Sequence, residues 1–249
     1  NWANPLQLTQ TIDPTPCITM TAPIQPHDLY RRQMVEVKRR FRAADRILGA
    51  KKPFTRDVDI DNECVFLQVR RITELITFSA IVSDERRYQR SRELDAATNA
   101  RDKGDYTADW NAAEILARLS KISPHFLPRP LGPMTVQPDG TKHFNESAAK
   151  LTHDRLISIY KTSGGYAHAP NPYKSNMAEL EHQKTINARA ILTKEIAFLK
   201  SVIWEHVKIG LVWEPDADPK QLDNGATAWL VWFGDSGTDE ISMSLATAL

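Results

Sequence analysis

Apolar residues recur along this chain first at helical spacing and, towards its end, at strand spacing. Tyr30, Met34, Val37, Phe41, Ala44 and Leu48 follow one another at alternating steps of four and three. This predicts a helix that opens at Pro26-His27-Asp28, with Asp28 as N-cap, and packs lengthwise against another helix. Gly49 through Pro53 ends it. From Cys64 to Val82 apolar residues cover most of the circumference of the next predicted helix, for which Asp59 or Asp61 is the cap. A helix that is apolar nearly all round is a central, buried one, so its polar residues stand out. Arg70 and Glu74 are four apart and pair along one face, with Arg71 beside them.

Residues 84–105 carry many charges and little apolar content, which predicts a solvated helical extension ending near Gly104. Thr107 or Asp109 then caps a helix bearing Trp110, Ile115, Leu116, Leu119 and Ile122, which Pro124 stops. The proline-rich stretch from Ser123 to Thr141 reads as an ordered crossing or a small hairpin turning at Pro138-Asp139-Gly140. Thr152 caps a further helix that breaks at Gly164-Gly165, and Asn176 with Glu179 opens a long helix through Ile203. The period then changes. Val207, Ile209, Leu211 and Trp213 alternate, Asp223-Asn224-Gly225 is a turn, and 229–233 and 241–245 are further strands. The expected fold is mainly α: an antiparallel helical bundle over 27–206 and a small C-terminal antiparallel β meander over 207–249. Ahead of them the five prolines of residues 1–26 predict an extended or disordered leader.

Composition narrows the class. With 249 residues, 41% hydrophobic and 25% charged, the chain can bury a substantial core. Arg70, Arg71 and Glu74 interrupt its best apolar run, so no membrane span is expected, and no secretory signal is visible; a cytoplasmic location follows as the expectation. Cys17 and Cys64 have no ligand-type spacing, and Cys64 reads as a small core residue. The net charge of +1 hides an asymmetry: residues 28–52 hold nine Lys/Arg against three acids, whereas 214–249 hold seven acids against Lys220 alone. Either the basic stretch is a nucleic-acid face, using Arg31, Arg32, Lys38, Arg39, Arg42 and Arg46, or the two surfaces pack on each other. The apolar stripe of helix 27–48 also suits a homodimer or protein partner.

Recognised catalytic signatures are absent. Ser163-Gly164-Gly165 lacks the lysine and preceding strand of a phosphate loop, and Gly234-Asp235-Ser236-Gly237 lacks the spacing of a serine elbow. The seven histidines include no i,i+4 pair, so neither a metal site nor a cofactor is expected. The strongest remaining feature is the corner from Tyr160 to Tyr173, where two glycines and Pro170 and Pro172 hold His168 at a helix end. His168 serves there as a general acid–base group, or it locks two helices together by bonding the Arg70/Arg71/Glu74 group.

The combination of Arg70 or Arg71, Glu74, Leu75 and Ile76 with a later Tyr160, Ser163, His168 and Pro172 resembles the HEPN-like helical proteins of bacteria, over about residues 60–206. The resemblance implies an antiparallel bundle of four or five helices and a place among toxin–antitoxin, abortive-infection or other anti-phage systems. Catalytic members cleave RNA without metal through an Arg-x(4 to 6)-His motif. This chain departs from it: Arg118 and His125 have the spacing but enclose Pro124, and Arg155 lies thirteen residues before His168. The expectation is therefore a non-catalytic binding or assembly module. The alternatives are an RNA-directed nuclease, with His168 as acid–base and Arg70, Arg71 or Arg155 on the phosphate, and nucleic-acid binding without cleavage.

Overall fold

The computed structural model describes residues 6–11, 25–98, 104–136, 138, 142–167, 173, 177–211 and 226–248. Six α-helices lie among them: α1 (Pro26–Leu48), α2 (Val58–Ser83), α3 (Glu85–Thr98), α4 (Ala112–Ile122), α5 (His153–Ala167) and α6 (Met177–Ile203). Six strands, β1 (Leu6–Thr11), β2 (Arg129–Val136), β3 (Lys142–Glu146), β4 (Glu205–Leu211), β5 (Ala226–Trp232) and β6 (Ser242–Ala248), form one sheet in the order β1-β6-β5-β4-β2-β3. The chain is thus mainly helical with a small antiparallel sheet.

The α1 stripe behaves as its spacing requires within the chain. Tyr30, Met34, Val37, Phe41 and Ala44 are fully buried, packed with Val65, Val69, Ile72 and Ile76 of α2 and with Trp229, Val231, Phe233 and Met243 of the sheet. This corrects the expectation that the stripe of helix 27–48 meets a partner. Its apolar face is used up against the chain's own α2 and sheet. Gly49 caps the helix end as expected, but Gln25 rather than Asp28 is the N-cap, with Pro26 in the first turn where its missing N–H costs nothing.

Other helix starts shift by a few residues. Asp57 caps α2 by accepting from the backbone N–H groups of Asp59 and Ile60. Asp61 instead turns back to accept from the Phe54 and Thr55 amides at 2.8 and 3.0 Å. Asn111 caps α4, Asp105 caps a single 3-10 turn at Tyr106–Ala108, and Trp110 is exposed. Thr152 Oγ1 accepts from the Arg155 N–H at the start of α5, as expected.

Three departures from the sequence reading are larger. The sheet is not a C-terminal meander alone: it recruits β1 from the leader, against β6, and the β2–β3 hairpin from the proline-rich stretch. Pro130 and Pro133 are tolerated in β2 because Pro130 is paired on one side only, with His206 of β4, and Pro133 falls where the pairing with β3 shifts register between Leu131 and Met134. The two outermost strands, β1 and β3, approach each other, so the sheet is rolled. Val207, Ile209, Ala228 and Leu230 fill its inner face, while Trp229, Val231, Phe233 and Met243 face the helices. Finally, α5 runs straight through Gly164-Gly165 to Ala167 rather than breaking there.

Candidate functional site

Gly164 of α5 faces Arg70 across the helix pair. Arg70 of α2 extends onto α5 so that its Nη1 occupies the space a Cβ at position 164 would need. A larger residue there would push the guanidinium aside. Arg70 Nε donates to Glu74 Oε1 at 3.1 Å and Nη2 donates to the Tyr160 hydroxyl at 2.6 Å, while the guanidinium carbon lies 4.3 Å from the Tyr160 ring centre. Arg71 Nη1 donates to the other Glu74 oxygen at 3.1 Å, so one carboxylate bridges both arginines. Ser163 Oγ donates to the Tyr160 carbonyl, and Phe66 stacks on Tyr166 with ring centres 4.0 Å apart. Arg70, Glu74, Tyr160, Ser163 and Gly164 are therefore one cluster at the α2–α5 crossing, and only Arg71 at its edge is exposed.

The remaining candidates separate from that cluster. Arg155 pairs with Glu195 of α6 and lies over the Phe198 ring at 4.7 Å. His168 falls outside the described residues. Arg118 pairs with Asp95 of α3, whereas His125 is buried under the sheet, so the one stretch with nuclease-like spacing is split between two surroundings.

Part of the basic face of α1 packs against residues 233–240 of the C-terminal region. Lys38 is fully buried and donates to the carbonyls of Phe233 and Glu240, which removes it as a phosphate contact: a Lys ammonium with its donors committed inside the fold cannot meet a polyanion. Burial lowers its pKa, an effect that Asp235 opposes. Arg39 and Arg42 both pair with Asp239, and Arg39 also with Glu36. Arg32 and Arg46 are exposed and Arg31 is half-buried. Among the described residues, the basic helix and the acidic C-terminal region meet through Asp239.

Two buried polar groupings escaped the sequence. Lys208, inside the Val207-x-Ile209 alternation, is fully buried; its Nζ lies 3.7 Å from Asp84 Oδ2 and donates to the carbonyls of His125 and Ile209 at 2.9 and 3.0 Å. Arg129 Nη2 donates to His125 Nδ1 at 2.8 Å. Burial lowers the Lys208 pKa to about 8 against the opposing pull of Asp84. Burial, aided by the charges of Arg129 and Lys208, lowers that of His125 to about 4. The second grouping joins Tyr30 to His206, whose pKa burial also lowers to about 4. Alternation alone puts Lys208 and His206 on a solvent face. They are buried because helices cover that face and the sheet rolls around the other.

Among the described residues no group of three or more His, Cys, Asp or Glu could hold a metal ion, and no helix is long and apolar enough to cross a membrane. No protein-family model, curated protein or solved structure matches the chain.

Proposed function

We propose that this protein is a non-catalytic binding or assembly module, a helical body of the HEPN-like kind that pairs with a second copy of itself through the exposed face of α2. The observation that carries this reading is the stripe Ile60, Glu63, Leu67 and Arg71. On the helix that otherwise supplies the centre of the core, Ile60 and Leu67 remain 48% and 45% exposed, one heptad apart on the same face. Glu63 and Arg71 are exposed four residues to either side of Leu67. An antiparallel pairing about a two-fold axis at Leu67 sets each Glu63 against the partner's Arg71, twice, around a Leu–Leu contact. A self-complementary patch of this kind is what an isologous dimer requires.

The groups offered for catalysis support the same reading by their engagement. Arg70 is held by Glu74 and Tyr160, Arg71 by Glu74, and Arg155 by Glu195. The Arg70–Tyr160 and Arg155–Glu195 bonds tie neighbouring helices together, while Arg71 keeps its outer face exposed. Light scattering over micromolar to near-millimolar concentrations tests the proposal. A dimer is expected for the wild type and a monomer of unchanged helicity for Leu67→Asp. A wild-type monomer throughout that range overturns it, as does chelator-resistant cleavage of RNA that Arg71→Ala abolishes.

A further inference from the structure

The rolled sheet has an open mouth where α6 runs into β4, and the residues there form a groove of about 740 Å³. Its lining includes Leu131, Met134, Phe144, Glu205 and Trp232. Register places them together: Glu205 and Trp232 are directly paired across β4 and β5, and Leu131 follows Pro130, the partner of His206, so it lies beside Glu205 on β2. Directly opposite side chains on one sheet face stand about 5 Å apart. The Phe144 and Trp232 rings are 6.0 Å apart and tilted by 48°, forming two walls of a corner, and Met134 is 47% exposed at its rim. Glu205 is exposed and its carboxylate makes no hydrogen bond or ion pair among the described residues.

We propose that this groove is a binding site for a small organic cation, an alkylammonium or guanidinium compound. The combination selects that chemistry. Aromatic faces attract a weakly hydrated, polarisable cation, and the Glu205 carboxylate supplies the counter-charge. A hydrated inorganic ion would have to give up oxygen ligands that this lining does not replace. A neutral apolar ligand would cover Glu205 without pairing it, which costs the carboxylate its water. The groove lies on the inner face of the sheet, away from α2, so occupancy of one site does not depend on pairing at the other.

The test is calorimetric titration of the full chain with tetramethylammonium, choline, potassium and 3,3-dimethylbutanol, the last being the uncharged carbon counterpart of choline. Saturable binding of tetramethylammonium and choline is expected, weakened at least about fivefold by Glu205→Gln and by Phe144→Leu. Glu205→Gln changes an exposed side chain that carries no bond among the described residues, so its result stands even if Phe144→Leu perturbs the sheet. Equal affinity for 3,3-dimethylbutanol, equal competition by potassium, or no saturable binding of either organic cation overturns the proposal.

Discussion

Tyr30 and His206, 176 positions apart, share a 2.8 Å hydrogen bond at the junction of α1 with the sheet. Its direction follows from the other ring nitrogen. His206 Nδ1 lies 2.7 Å from the Ile203 carbonyl, which can only accept, so Nδ1 carries the proton and Nε2 accepts from the Tyr30 hydroxyl. Burial raises the Tyr30 pKa and lowers that of His206, so both groups stay neutral and the bond has one sense. Tyr30→Phe leaves Nε2 buried without a donor and is expected to cost about 1 to 2 kcal/mol, read as a lower urea midpoint.

The same burial makes the fold sensitive to mild acid. His125 and His206 have folded pKa values near 4, against 6.5 for the exposed ring. Below about pH 6.5 the unfolded chain gains protons that the folded one refuses. Stability is therefore complete above 6.5 and falls as pH drops towards 4, by about 2 kcal/mol per histidine down to about pH 5. Urea midpoints between pH 7 and 5 should decline in the wild type and less steeply in His206→Gln. A flat wild-type profile in that window contradicts burial of the two rings.

The neighbouring glycines of α5 should respond in opposite directions. At Gly164 a methyl group displaces the Arg70 guanidinium from Tyr160, a loss partly offset by the helix preference of alanine, so Gly164→Ala is expected to destabilise by up to about 1 kcal/mol. At Gly165 an added Cβ meets nothing within 4 Å, and Gly165→Ala should stabilise the helix by up to about 1 kcal/mol. Thermal melting of the two single variants reads the difference.

What could be read in the sequence was what local spacing encodes. The α1 stripe and the Arg70–Glu74 pair repeat at helical steps, and both appear where those steps put them. The two-helix contact of the RRITEL segment with the Ser-Gly-Gly region was also foreseeable, although Arg70 meets Tyr160 and Gly164 there and His168 is not among the described residues. Gly164 misled because a glycine pair in isolation reads as a breaker, and its purpose is visible only with the guanidinium beside it. The joining of β1 and β2 to the C-terminal strands, and the burial of Lys208 and His206, depend on pairings across most of the chain that no local pattern reports.

Lys208 and Asp84 form a buried pair, and removing one partner strands the other. Lys208→Met alone is expected to cost about 3 to 5 kcal/mol, and Asp84→Asn with Lys208→Met together clearly less than the sum of the single changes. A denaturation cycle over the four proteins measures the coupling. By contrast, Asp239→Asn breaks only exposed pairs with Arg39 and Arg42 and should shift stability by less than about 1 kcal/mol.

The most direct test of the self-pairing proposed for α2 is sedimentation equilibrium on a charge swap. Glu63→Lys sets a lysine against the partner's Arg71, and Arg71→Glu sets a glutamate against the partner's Glu63. Each single variant should therefore be monomeric where the wild type is a dimer, and the doubly swapped protein should recover the dimer. Identical molecular mass for all four proteins would contradict the pairing.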